Sequence, residues 1–207
     1  MYVFRTQFLN VSARSKTPQL GMAEIRGKVA NISPFPREIP KGHSFFTSLN
    51  SVAAMELFGA DEVRQTVVTF RDAMKAHAPG INRMNVYPVP DGDTGTNMAR
   101  TLDAVVAELE GADHALAPTC QAISHGSLMG ARGNSGVILS QILRGLASTI
   151  SESADGKVNA SRMAEALKRA SAAAYEAVLK PIEGTILTVV RESADAAAVA
   201  VGNSATL

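Results

Sequence analysis

The sequence predicts an all-α fold, and three observations carry that expectation. Apolar residues make up 46% of the 207, yet aromatics only 5%, and Trp is absent. Ala, Val, Leu and Ile supply most of the apolar content, which suits packed helices better than an aromatic-rich sheet. Beyond residue 50, apolar positions recur at three- and four-residue spacing, the period of a helix with one buried face. No convincing strand pattern appears, and no repeat of solenoid length is visible.

The elements follow in order. Val52, Met55, Leu57, Val63, Val67, Val68, Phe70 and Met74 predict one or two helices up to about His77. Pro79-Gly80 is the expected terminator. An acidic, glycine-rich loop over about 82–95 gives way to a helix from about Thr96 to Glu110, carried by Met98, Leu102, Val105, Val106 and Leu109. Residues 111–118 form a connection, and a helix over 119–129 buries Cys120, Ile123 and Leu128. The stretch 126–136 holds glycines at 126, 130, 133 and 136 and reads as a loop, after which Val137, Ile138, Leu139, Ile142, Leu143, Leu146 and Ile150 give a broad apolar face. After a polar break at 151–159, Ser161 is an expected N-cap for a helix through Met163, Leu167, Ala170, Ala174, Val178 and Leu179. Pro181 stops it. Thr185 is the expected cap of a last helix carrying Ile186, Leu187, Val189 and Val190. No closing signal precedes Leu207, so the expectation is a domain truncated at its C-terminus.

Charge divides the chain. Residues 1–50 hold seven Lys/Arg against Glu24 and Glu38, with five of the seven Phe and four Pro, and show no sustained periodicity. They read as a basic leader, either disordered or an extension upstream of a start near Met22 or Met55, with a targeting extension as the alternative. The remainder, 51–207, reads as the helical domain. A net charge of +1 gives no polyanion-binding signature and no expectation of nucleic acid. The lone Cys120 excludes an internal disulfide and a cysteine-rich metal site, which fits a cytoplasmic location. No apolar run approaches the length of a transmembrane span.

Chemistry concentrates in Asn85-Val-Tyr-Pro-Val-Pro-Asp-Gly-Asp-Thr-Gly-Thr-Asn97. Asp91 and Asp93 are close carboxylates, which repel unless a cation or a shared proton relieves them. The loop is no EF-hand: its fifth position is Gly95, and its twelfth is Leu102 where a bidentate Glu is required. Gly21 to Gly27-Lys28-Val29 fails as a Walker loop on spacing and on Val29. The 126–136 glycines follow a helix rather than a strand and miss the dinucleotide spacing. What remains is a site built from two helix N-termini. Asp91 and Asp93 offer hard oxygens suited to Mg²⁺, and Thr94, Gly95, Thr96 and Asn97 open the helix behind them. Gly130, Gly133, Asn134, Ser135 and Gly136 offer backbone N–H groups to an anion, and Arg132 a charge for a transferring phosphoryl group. The plainer alternative is a turn with an N-cap beside a tight helix–helix connection. His125 could contact substrate but reads better as a cap or packing residue, and Cys120 as a buried apolar one.

Residues 85–98, 128–141 and 180–189 resemble three blocks of one domain. It is the N-terminal, DhaL-type (Dak phosphatase-like) domain of the bacterial fatty acid kinase catalytic subunit, the YloV-like family. The resemblance spans about 51–207 and implies an antiparallel barrel of amphipathic helices holding ATP and two Mg²⁺ at one end. It implies metal binding by Asp91 and Asp93, with Asn85 or Asn82 where related subunits carry a third aspartate. It also implies phosphate binding by 130–136, and Thr185 beside the nucleotide. A fatty acid-binding protein of the DegV type would present the acyl carboxylate for phosphorylation, giving acyl phosphate for phospholipid synthesis. The alternatives are the nucleotide-binding subunit of a dihydroxyacetone kinase, and an inactive helical interaction module. Homodimerisation stays open.

Overall fold

The computed structural model describes residues 57–153 and 155–204; the leader expected over 1–50 lies outside the described residues. The helices are α1 (Ala60–Met84), α2 (Thr94–Glu110), α3 (Leu116–Gly130), α4 (Gly133–Ser151), α5 (Ala160–Glu176) and α6 (Ile186–Ser204). Among the described residues no strand forms; a single antiparallel bridge joins Phe58 to Val158 through two 2.8 Å hydrogen bonds. That bridge ties the start of α1 to the start of α5. The all-α expectation holds.

Each helix packs on its neighbours in the chain, and α2 also packs on α4. Short connections between side-by-side helices impose antiparallel neighbours. Leu102 and Val105 on α2 are wholly buried, and α2 is the central helix, gripped by α1, α3 and α4. Its core partners include Val63 and Val67, Cys120 and Ile123, and Leu139 and Leu143. Ile142, Ala170, Ala174, Leu187 and Val190 form a second cluster joining α4, α5 and α6. No packed seam joins α6 back to α1, so the described helices form an open array rather than a closed barrel. Burial pushes the Cys120 thiol up to about 11, the behaviour of a packing residue rather than a nucleophile.

Three local expectations need correction. Pro79 does not end α1, which continues to Met84. The missing proline N–H costs one helical hydrogen bond, but the last turn is held from outside. A methyl on Gly95 would lie 2.5 Å from the Ala78 carbonyl oxygen, so α2 starts pressed against this turn. The N-cap of α5 is Asn159 rather than Ser161; its Oδ1 accepts from the Arg162 N–H at 2.8 Å. Two capping residues lay within two positions of each other, and only the backbone dihedrals choose between them. The third correction concerns the glycine loop, which is mostly helix.

Candidate functional site

Only Ala131 and Arg132 separate α3 from α4. The glycines of 126–136 serve chiefly close approach to α2. A methyl on Gly126 would lie 2.9 Å from the Val105 Cα, one on Gly130 2.2 Å from the Ala104 Cβ, and one on Gly136 2.5 Å from the Thr101 hydroxyl. Gly133 alone of the four adopts a positive φ, +57°, and a methyl there would fall 2.3 Å from the Asn97 Nδ2. Only a residue without Cβ meets both demands.

This packing brings the first turns of α2 and α4 together. The Ser135 hydroxyl donates to the Thr94 hydroxyl at 3.3 Å, across 41 residues of sequence. Asn97 is buried with its side-chain amide against Gly133. The first-turn N–H groups of both helices therefore face one shared corner, with the positive ends of two helix dipoles behind them.

The acidic loop closes one side of that corner. Asp93 is the N-cap of α2, yet its carboxylate makes no capping hydrogen bond. The plainer reading of a turn with an N-cap thus leaves the Asp93 side chain without a task. Asp91 is exposed and accepts from the Asn85 amide. Gly92 between them takes φ +65°, which turns the chain so that both aspartates belong to one bend. Among the described residues no three His, Cys, Asp or Glu side chains converge as a metal cluster. A cation here would have two carboxylates and would fill its shell from elsewhere.

Asn82, one of two amides considered for a missing aspartate, has another task. Its Nδ2 donates to the Thr96 hydroxyl at 2.8 Å and its Oδ1 accepts the Thr96 N–H at 3.1 Å. It therefore caps α2 from the last turn of α1. Sequence reasoning missed this because the pair is 14 residues apart and needs α1 to run past Pro79.

The remaining candidates sit less centrally. The exposed Arg132 guanidinium folds back on the carbonyls of Ala131 (3.0 Å) and Met129 (3.5 Å). There it offsets the negative end of α3. The Thr185 hydroxyl donates to the Ile182 carbonyl at 2.8 Å and accepts from the Leu187 N–H at 3.3 Å, so its bonds stay within its own turn. His125 pairs with Glu108 at 2.9 Å and lines a groove of about 570 Å³ with Asp113 and Gln121. By helical rise Glu108 lies about 20 Å along α2 from Thr94, so the groove is remote from the aspartates.

A cluster that sequence reasoning overlooked surrounds Glu183. Its carboxylate accepts from the Thr188 hydroxyl (2.6 Å), the Tyr175 hydroxyl (2.9 Å) and Arg191 (3.2 Å). The Thr188 and Tyr175 hydrogen bonds, with the Arg191 charge, hold it below the usual carboxylate range. The cluster locks the α5–α6 junction.

Known sequences converge on the same region. The DAK2 domain family matches residues 88–207, which include Asp91 and Asp93, both helix N-termini and the Glu183 junction. This chain belongs to the DAK2 domain family. The family is associated with phosphotransferase subunits. An uncharacterized protein of Staphylococcus saprophyticus is 48% identical over 122 residues, 58% of this chain and 22% of its own length. Uncharacterized proteins of Staphylococcus haemolyticus and Staphylococcus aureus are each 47% identical over 118 residues, covering 56% of this chain and 21% of theirs. The chain spans about a fifth of the length of the curated relatives it matches. Among the described residues no helix is long and apolar enough to cross a membrane.

Proposed function

We propose that this DAK2 domain binds ATP with Mg²⁺ where α2 and α4 begin, as the nucleotide-binding part of a cytoplasmic fatty acid kinase. The observation that carries the reading is the meeting of two helix N-termini through Ser135 and Thr94, beside an Asp93 carboxylate that makes no capping hydrogen bond and has no side-chain partner among the described residues. Asp91 and Asp93 would hold the metal, two ions when fully loaded, with Asn85 joining the set through its bond to Asp91. The donor set fits: Mg²⁺ takes one or two carboxylates and completes its shell with phosphate oxygens and water. Bound there, the metal neutralises charge on the phosphates.

The chain's own groups do the rest. The first-turn N–H groups of Gly133, Asn134 and Ser135, with those of Thr94 and Gly95, would cradle the phosphates. Thr96, Asn97 and Gly136, whose N–H groups are bonded to Asn82, Asp93 and Arg132, would line the cradle. Gly130 lets α3 close up beneath them. Arg132 would release its carbonyl contacts and turn to the transferring phosphoryl group. Thr185 would border the nucleotide from the α5–α6 junction. The acceptor is a fatty acid carboxylate presented by a DegV-type binding protein. Such a carboxylate is already ionised at neutral pH, so positioning and charge neutralisation suffice and no general base is needed.

An apolar acceptor is favoured by the surroundings of the pair. Val86, Tyr87 and Val89 are exposed on the acidic loop, Met84 at the end of α1 and Met129 where α3 ends. A calorimetric titration of the chain with ATP, with and without Mg²⁺, tests the site. Heat only with Mg²⁺ is expected, and none in either condition overturns it. Phosphoryl transfer by the full-length protein to carrier-bound fatty acid, and not to dihydroxyacetone, tests the acceptor; the reverse preference overturns it.

A further inference from the structure

We infer that Asn82 is the positioning residue of the acidic loop, holding the Asp91/Asp93 pair in register with α2 without touching the metal itself. The inference rests on the proposed Mg²⁺ and ATP site. Three hydrogen bonds carry it. The Asn82 side chain both donates to and accepts from Thr96, occupying one hydroxyl and one first-turn N–H of α2. Its carbonyl oxygen accepts the Asn85 N–H at 3.2 Å. Gly92, between the two aspartates, lies over that same carbonyl; a methyl there would sit 3.8 Å from it. One residue thus reaches the loop at its start, its turn and its end.

The loop has little else to hold it. Apart from the Asn82 bonds, the hydrogen bonds of 85–93 among the described residues are Asn85 to Asp91, the Val86 N–H to the Met84 carbonyl and, at the end of the loop, the Asn97 N–H to the Asp93 carbonyl at 2.9 Å. Val86, Tyr87 and Val89 are exposed and contribute little burial. Pro88 and Pro90 stiffen the path but do not attach it to anything. Asn82 itself is fixed, because α1 continues through Pro79 and α2 packs on Ala78. The position of α1 is therefore passed through Asn82 to the carboxylates. Its amide oxygen accepts the Thr96 N–H and its amide N–H₂ donates to the Thr96 hydroxyl, so both ends of the side chain are engaged with α2.

The test compares Asn82→Ala, Asn82→Asp and Thr96→Val with the unmodified full chain. Losing a bidentate amide lets the loop sample other orientations, so the Mg²⁺ concentration for half-maximal ATP binding should rise about tenfold in Asn82→Ala. Asn82→Asp keeps the acceptor for the Thr96 N–H and should restore most of that loss. Amide hydrogen exchange in metal-free protein should quicken about tenfold at 85–96 in Asn82→Ala while the centre of α2 stays protected. Thr96→Val removes only the hydroxyl half and serves if Asn82→Ala fails to fold. Unchanged exchange over 85–96 overturns the inference. So does faster exchange with an unchanged Mg²⁺ requirement, which makes Asn82 merely structural. If the unmodified chain binds no MgATP the site proposal falls instead, and the exchange comparison alone decides whether Asn82 holds the loop.

Discussion

The two ends of α2 differ in how their backbone groups are used. At its C-terminal end the Arg64 side chain donates to the carbonyls of Leu109 (2.8 Å), Ala112 (2.8 Å) and Asp113 (2.6 Å) and to the Thr119 hydroxyl (3.0 Å). One guanidinium ties α1 to α2 and to the start of α3, and consumes carbonyls that a helix end leaves orphaned. At the N-terminal end only Thr96 receives a side-chain cap. Asp93 is the N-cap residue, yet its side chain makes no capping hydrogen bond. Paired polar groups stabilise a fold, while unpaired ones facing a corner are held for something else. The contrast marks one end as structural and is what the proposed ligand site at the other end rests on.

Breaking the contrast from the ligand side should give the largest effect. Asp93→Ala or Asp91→Ala should lower phosphoryl transfer by the full-length protein by about 10²-fold or more, as loss of a group that stabilises transition-state charge does. The melting temperature should stay close to wild type, because Asp93 makes no capping bond and Asp91 is exposed. Stopped-flow turnover with thermal melts on the same samples checks both; wild-type turnover would remove the pair from the mechanism.

From the structural side, Arg64→Ala should cost about 2–3 kcal/mol of stability, since charged donors to part-buried carbonyls are lost together. MgATP affinity should be unchanged once the protein is folded. Denaturant unfolding with calorimetry separates the two, and a loss of affinity equal to that of Asp93→Ala would dissolve the distinction between the ends.

A smaller, mixed effect is expected at the seam. Gly130→Ala places a methyl 2.2 Å from the Ala104 Cβ, an overpacking cost of about 1–3 kcal/mol. Because it also moves α3 away from α2, ATP affinity should fall with stability.

The smallest effect belongs to Glu183. Its folded carboxyl sits below the usual range, so its contribution is present above the ordinary carboxylate pKa and fades as pH falls through the lowered value. Glu183→Gln should flatten that acid-side slope in melts from about pH 3 to about pH 7, lowering the melting temperature slightly at neutral pH and leaving it nearly unchanged at the acid end.

How far the sequence reached is plain residue by residue. Leu102, Val105, Ile123 and Leu143 were legible as core because helical periodicity records which face is dry. Asp91 and Asp93 stood out as candidates because close carboxylates repel unless a cation or a shared proton relieves them. The glycines at 126, 130 and 136 were misread as loop, because a glycine kept for conformational freedom and one kept for close helix contact look alike in sequence. Asn82 and Arg64 were not legible as anchors at all. Their partners lie 14 and between 45 and 55 residues away.

By itself the sequence determined the helices, the buried face of each, and the acidic loop at the start of α2. Local propensity and periodicity are carried by neighbours in the chain, so those features need no fold to be read. Only the tertiary structure decided that α1 runs past Pro79 and that α2 and α4 begin at one corner. It alone also paired Asn82 with Thr96. Such decisions depend on backbones approaching within van der Waals contact, which the order of residues permits but does not state.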